Sequence, residues 1–174
     1  MKYQEKAKQF AYQAHKGQFR RDGVTPYITH PMAVAEILRK QGINDDAIIS
    51  AALLHDVVED CGITLEQIMQ NFGPRITRLV DGMTQRKSEE SDESYRRRII
   101  ANHDEVRMIK LADVLHNMLT TANIPDEQNR AKTFRSMHES WTDYKGFAYD
   151  VNKELAERIQ QAYEEARMAV CPAA

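Results

Sequence analysis

Apolar residues recur along this chain at three- and four-residue spacing and seldom in alternation, and that period belongs to helices. In residues 2–15, Tyr3, Ala7, Phe10, Ala11 and Ala14 fall on one stripe. The stretch KGQFRRDGVTPYITHP then carries two Gly and two Pro and reads as an ordered loop. Pro31 can open the next helix, over 31–41, because the N–H it lacks would have no intrahelical partner there. Asn44 or Asp45 is placed to cap a helix running through Val57. Its run AIISAALLH is apolar nearly all round, which predicts a position at the centre of the core. GIT breaks that helix. Thr64 and Gln67 then make a capping box for 65–71, and FGPRITRLVDGM restarts a helix at Pro74. The polar segment TQRKSEESDESY reads as mobile. Helices over 92–101 and 103–121 follow, IPDE is a turn, and the remainder reads as one or two helices to about residue 170. The pattern predicts an all-α fold, a compact helical bundle with residues 1–174 in a single domain. Neither an internal repeat nor an interdomain linker interrupts it.

Composition agrees. Ala, Glu, Lys, Gln, Arg, Leu and Met dominate, whereas Gly and Pro number seven and five, a helix-forming balance. The 174 residues suit one domain with one core. A net charge of −2 gives no broad basic footprint for nucleic acid or an anionic membrane, although an anionic small molecule would need a local basic cluster. No apolar run approaches the ~20 residues of a membrane helix, and MKYQEKAKQF lacks the apolar centre of a secretory signal. Cys61 and Cys171 are far apart and form no CxxC pair, so a reducing cytoplasm is expected. None of these features specifies an oligomeric state.

Candidate chemistry begins at ALLHDVVED, where the most apolar helix ends in four ionisable side chains, His55, Asp56, Glu59 and Asp60. A solvated helix end would explain them in isolation. His30, at the end of the Gly/Pro loop, and Asp113, inside the largely apolar MIKLADVLHNM, favour a shared metal site instead. A carboxylate near a core needs a partner, because an unpaired buried charge is very costly. One divalent cation would satisfy all four groups. Two imidazoles with two carboxylates suit manganese, iron or zinc better than calcium, and lack the thiolates of a structural zinc site. Glu59 and Asp60 each follow a member of the His-Asp pair by four residues, one turn further on the same side if the helix continues. There they could orient or deprotonate a metal-bound water, or protonate a leaving group. His15, His103, His116 and His138 read as structural or surface residues, and Trp141 as core.

The stretches AHKGQFRRDGVTPYITHP, ALLHDVVED and VRMIKLADVLHN occur in the order found in the HD-type hydrolase domain of RelA/SpoT-like proteins. From about residue 4 to 150 the chain resembles that family, and most of all its stand-alone small alarmone hydrolases, including the metazoan SpoT homologue type. The resemblance implies an HD phosphohydrolase fold with one Mn2+ per chain held by His30, His55, Asp56 and Asp113. It puts Glu59 and Asp60 on the acid pair that assists the attacking water. It puts Arg20, Arg21 and Asn117 on substrate contacts, Tyr144 beside the nucleobase and Lys87 at the pocket mouth. The implied reaction removes pyrophosphate from the 3′ position of guanosine tetra- or pentaphosphate (ppGpp or pppGpp), giving GDP or GTP. Three departures stand out. Val114 replaces the Arg of KLADRLHNM, GVTPY is one residue longer than the common GEPY, and segment 84–98 is unlike its family counterpart. They leave the metal donors intact and leave open which nucleotide is used, adenosine alarmones and the 2′-phosphate of NADPH included. A non-catalytic nucleotide-binding module is a further alternative, though no ligand or acid is missing from the set.

Overall fold

A computed structural model describes residues 3–170, which leaves Cys171 outside the described residues. Nine helices are described: α1 (Gln4–Ala14), α2 (Thr29–Lys40), α3 (Asp46–Leu54), α4 (Val57–Asp60), α5 (Leu65–Met83), α6 (Asp92–Ile100), α7 (Asp104–Thr121), α8 (Glu127–Val151) and α9 (Lys153–Val170). Among the described residues the only strand-like pairing is an isolated bridge between Phe19 and Pro26. The all-α expectation is therefore borne out.

Two helices organise the rest. In α3 every residue from Ile48 to Leu54 is buried, and α1, α2 and α5 pack around it. Helix α7 buries Val106, Met108, Ile109, Leu111, Ala112, Val114, Leu115 and Met118 and is enclosed by α2, α5, α6, α8 and α9. The end of α3, the start of α2 and the middle of α7 converge, and the ionisable residues of interest lie at that convergence.

Local signals fix several boundaries. Asp45 caps α3, its Oδ1 accepting from the backbone N–H of Ala47 at 2.9 Å and of Ile48 at 3.1 Å. Thr64 and Gln67 form the reciprocal capping box of α5. Gly73 breaks α5 with φ +78°, a conformation that costs glycine little, and the helix resumes at Pro74.

Two expectations need correction. Helix α2 begins at Thr29 and not at Pro31. Pro31 is the third helical residue, still within the first turn where backbone N–H groups have no intrahelical acceptor. Segment 84–95, expected to be mobile, is tied down. Arg98 reaches back to Glu90 at 2.7 Å and to the carbonyls of Gly82 and Thr84 at 3.1 and 2.7 Å. The Tyr95 hydroxyl donates to the Met83 carbonyl at 2.7 Å. Val114, at the departure from KLADRLHNM, is 1% exposed and belongs to the core.

Candidate metal centre and anion pocket

His55 follows the last residue of α3. Its Nδ1 lies 2.8 Å from the Ala52 carbonyl oxygen, and a carbonyl only accepts, so Nδ1 carries the hydrogen. The neutral ring then presents Nε2 as a bare lone pair. That Nε2 is buried and has no hydrogen-bond partner. It faces Asp56 Oδ1 at 3.2 Å and Asp113 Oδ1 at 3.9 Å. A lone pair turned toward two carboxylate oxygens is repulsive unless a cation lies among them.

His30, second residue of α2, completes the cluster. Its Nε2 stands 3.1 Å from Asp113 Oδ1 and 3.6 Å from Asp56 Oδ2. His30, His55 and Asp56 each offer a donor atom within 4.8 Å of the others'. His30 and His55 are 1% and 2% exposed, and burial pushes His30 below the usual histidine range, toward the neutral form that a metal ion needs. Burial alone would raise the Asp113 carboxyl. The Lys110 ammonium, 2.9 Å from Oδ2, and the His30 and His55 rings together outweigh that and hold it well below the ordinary carboxylate range. Asn117 Nδ2 donates to the other oxygen at 2.6 Å. The donor set therefore fits a divalent ion, with each partner's orientation already fixed.

Next to this cluster a cavity of about 600 Å³ opens to solvent. Glu59, Asp60, Lys87, Arg20, Arg21 and Asn117 all line it. The short helix α4 continues past Asp56, so both acids stand one turn on. Lys87 Nζ pairs with Glu59 at 2.7 Å and lies 3.7 Å from Asp60. The Tyr27 hydroxyl is 2.7 Å from Asp56 Oδ2 and 3.1 Å from Asp60 Oδ2, so a single hydrogen ties a cluster carboxylate to a pocket acid. Arg20 donates to Asn117 Oδ1 at 2.7 Å with its guanidinium over the Tyr27 ring, and Arg21 donates to Thr133 Oγ1 at 2.7 Å. Buried imidazoles, acids lining the same cavity and cations at its rim make an arrangement suited to hydrolysing a phosphate ester.

The HD domain family model matches residues 7–141. The chain belongs to the HD domain family. Over 130 residues it is 42% identical to a guanosine-3′,5′-bis(diphosphate) 3′-pyrophosphohydrolase of Haemophilus influenzae, a match covering 69% of this chain and 19% of that protein. Over 135 residues it is 43% identical to a probable GTP pyrophosphokinase of Mycobacterium leprae, covering 74% and 17%. The chain thus spans less than a fifth of the length of these curated relatives. A solved structure described as a metazoan ortholog of SpoT that hydrolyzes ppGpp superposes with TM-score 0.81 at 29% identity, covering 95% of this chain and 96% of that one. A Listeria monocytogenes structure, at TM-score 0.60 and 22% identity over 80% and 96% of the two chains, shares the fold.

His55 and Asp56, adjacent in sequence, are brought together with His30 and Asp113 from two other parts of the chain. Tyr144 departs from its expected place. It is 0% exposed, its hydroxyl is buried without a partner, and it does not line the cavity. Helix α8 turns Ser136, Met137 and Ser140 toward the cavity instead, and Tyr144 packs inward against Phe147. Tyr144 lies one turn beyond Ser140 on nearly the same side, so the correction is one of position along α8, past the end of the cavity. Two residues went unnoticed in the sequence. Lys110 sits three residues before Asp113, a spacing that brings side chains together on a helix, so a signal existed. Tyr27 carried none. The Nδ1 of His116, expected to be structural or surface, is 2.7 Å from His30 Nδ1, where it orients a ring of the cluster.

Proposed function

We propose that this chain is a single HD-type domain acting in the cytoplasm as a metal-dependent hydrolase, removing the 3′-pyrophosphate of ppGpp or pppGpp to give GDP or GTP. The observation that carries the reading is the buried, unpartnered Nε2 of His55 aimed at two carboxylates, beside a cavity rimmed by cations. His30, His55, Asp56 and Asp113 would hold the ion, Mn2+ by the resemblance, with Fe or Zn compatible with the same donors. A bound divalent ion supplies polarisation of a phosphoryl oxygen and acidifies a water. The chain's own groups do the rest. Lys110 and Asn117 hold both oxygens of Asp113. Glu59 or Asp60 accepts the proton of the water that attacks the 3′-linked phosphorus. The bond from that phosphorus to the ribose oxygen breaks, and the oxygen leaves with a proton returned by the acid pair. Lys87, Arg20 and Arg21 offset substrate charge, guanidinium groups matching phosphate oxygens.

A second reading keeps the chemistry and changes the substrate. The divergent segment 84–98 contributes Gln85, Lys87, Asp92, Tyr95 and Arg96 to the cavity wall, so the adenosine alarmones and the 2′-phosphate of NADPH belong in the same test. Purified protein with Mn2+ is incubated with each nucleotide and product release is followed, with His55→Ala as control. The first reading expects GDP and pyrophosphate from ppGpp. Turnover no faster than the His55→Ala background on ppGpp ends it, and faster turnover on an adenine substrate transfers the proposal to the second.

A further inference from the structure

The turn that follows α1 folds back on itself. Gln18 donates its backbone N–H to the His15 carbonyl at 3.0 Å, and Gly17 between them takes φ +83°, a conformation that glycine supplies in tight turns. The Gln18 side chain returns to the His15 ring, which is 3% exposed. Gln18 Oε1 lies 2.8 Å from His15 Nδ1, and Gln18 Nε2 donates to the Asp60 backbone carbonyl at 3.1 Å. Only one orientation satisfies both contacts. The Asp60 carbonyl accepts and cannot donate, so the NH2 end of the amide faces it, the amide oxygen faces His15, and Nδ1 carries the hydrogen. The Cys61 sulfur, 3.2 Å from the same nitrogen, is a weaker acceptor. The His15 ring also stacks on Tyr27, with centroids 4.6 Å and planes 21° apart. Tyr27 in turn meets Asp60 Oδ2 at 3.1 Å and Asp56 Oδ2 at 2.7 Å. The contacts form a closed circuit, from His15 through Gln18, Asp60 and Tyr27 back to His15.

This circuit surrounds the weakest element of the site. Helix α4 has four residues, and a helix so short is marginal without outside contacts. It nevertheless carries both acids. Its last carbonyls have no intrahelical partner, and Gln18 supplies one to Asp60. Asp60 is therefore held at two ends, at its backbone by Gln18 and at its carboxylate by Tyr27, whose ring rests on His15. We propose that His15 and Gln18 are positioning residues of the hydrolytic site, fixing the Asp60 carboxylate and the Tyr27 hydroxyl relative to Asp56. His15 does not line the large cavity, so it acts through Gln18 and Tyr27 alone. The catalytic half of the proposal rests on the hydrolase reading above, and the mechanical half does not.

Gln18→Met keeps the length of the side chain and removes both hydrogen bonds. The backbone N–H groups of Asp60 and Cys61 bond to the carbonyls of Asp56 and Val57 at 2.9 and 3.2 Å. In amide hydrogen exchange of the full chain they should exchange about fivefold faster in Gln18→Met, the worth of one hydrogen bond, while the amides of α7 keep their rates. In steady-state assays with Mn2+ and ppGpp, kcat should fall about 10- to 100-fold with KM unchanged, the pattern of a misplaced reacting group. His15→Phe keeps a ring against Tyr27 and removes the N–H that orients Gln18, so its kcat should lie between those of wild type and Gln18→Met. Gln18 and Tyr27 hold the same carboxylate, so the loss in Gln18→Met/Tyr27→Phe should fall far short of the product of the two single losses. Unchanged exchange at Asp60 and Cys61, fully multiplied losses in the double variant, or a raised KM with intact kcat overturns the proposal. Exchange needs no turnover, so a wild type that leaves ppGpp intact counts against the function proposal and not against the brace.

Discussion

Replacing Lys110 by methionine tests how the buried carboxylate of the cluster is tolerated. Methionine keeps most of the side chain's length and removes its charge. Lys110 Nζ lies 2.9 Å from Asp113 Oδ2, with the two side chains 14% and 8% exposed, and 5.0 Å from the Tyr95 ring centroid. Removing one partner of a buried ion pair costs roughly 3–5 kcal/mol, because the remaining charge is left uncompensated. The Asn117 donor to Asp113 Oδ1 survives the substitution, which places the expected loss near the lower end, about 3 kcal/mol. For a domain of this size that is a fall in Tm of about 6–12 °C. The assay is thermal unfolding of metal-free protein followed by circular dichroism at pH 7. Removing the carboxylate's charge as well, in Lys110→Met/Asp113→Asn, should recover most of the loss. The pH dependence has a definite sign. Asp113 is held well below its usual range, chiefly by Lys110 acting against burial. The pair's contribution is therefore complete above the unfolded carboxyl value of about 3.9 and disappears as pH falls toward the folded one. The gap between wild type and Lys110→Met should narrow on acidification. A Tm change under about 2 °C at pH 7, far short of that fall, or a double variant less stable than the single, would refute the account of Asp113.

Glu59→Gln should retain divalent-ion binding by calorimetry and lose about 10²–10⁴ in kcat, as expected for removal of an acid–base group; an unimpaired rate would put the proton elsewhere. Tyr27→Phe preserves the ring stacked on His15 at 4.6 Å and deletes the hydroxyl joining Asp56 to Asp60. Metal affinity measured by competition with a chelator should drop roughly tenfold. The Tyr144 hydroxyl is buried without a partner, so Tyr144→Phe should be neutral or stabilising by up to about 1 kcal/mol in urea unfolding, with unchanged kinetics. A raised KM there would return Tyr144 to the substrate pocket. Asp45→Ala removes the α3 cap and should cost about 1 kcal/mol at neutral pH, and its backbone and Arg75 partners keep Asp45 below the usual carboxyl range, so that cost should shrink in acid.

The division between what the sequence disclosed and what it hid follows the range of the interactions involved. Asp45, the Thr64–Gln67 box and the Gly73–Pro74 break act within four residues, so their chemistry is readable locally, and the wholly apolar run of α3 announces a core helix for the same reason. The start of α2 was misplaced because proline is compatible with any position in a first turn. Segment 84–95 looked mobile because its restraints are charge pairs, such as Arg98 with Glu90 and Lys87 with Glu59, and a polar tract reads alike whether its charges face water or one another. His30, His55, Asp56 and Asp113 were conspicuous as ionisable groups in apolar frames, where the cost of burial demands a partner. Their supports were not conspicuous. Tyr27 meets Asp56 across 29 positions and His116 meets His30 across 86, and only the packing of α2 against α3 and α7 creates those encounters. Tyr144 follows Ser140 by one helical turn on nearly the same side, and the apolar period that identifies α8 cannot say where along its length the cavity ends. A sequence exposes groups whose burial would be costly, while the neutral hydroxyls, amides and imidazoles that orient them pass for ordinary surface until the fold brings them into contact. In this chain two such groups, Tyr27 and His116, touch Asp56 and His30, so their substitution tests how the cluster is oriented more directly than substitution of the conspicuous four.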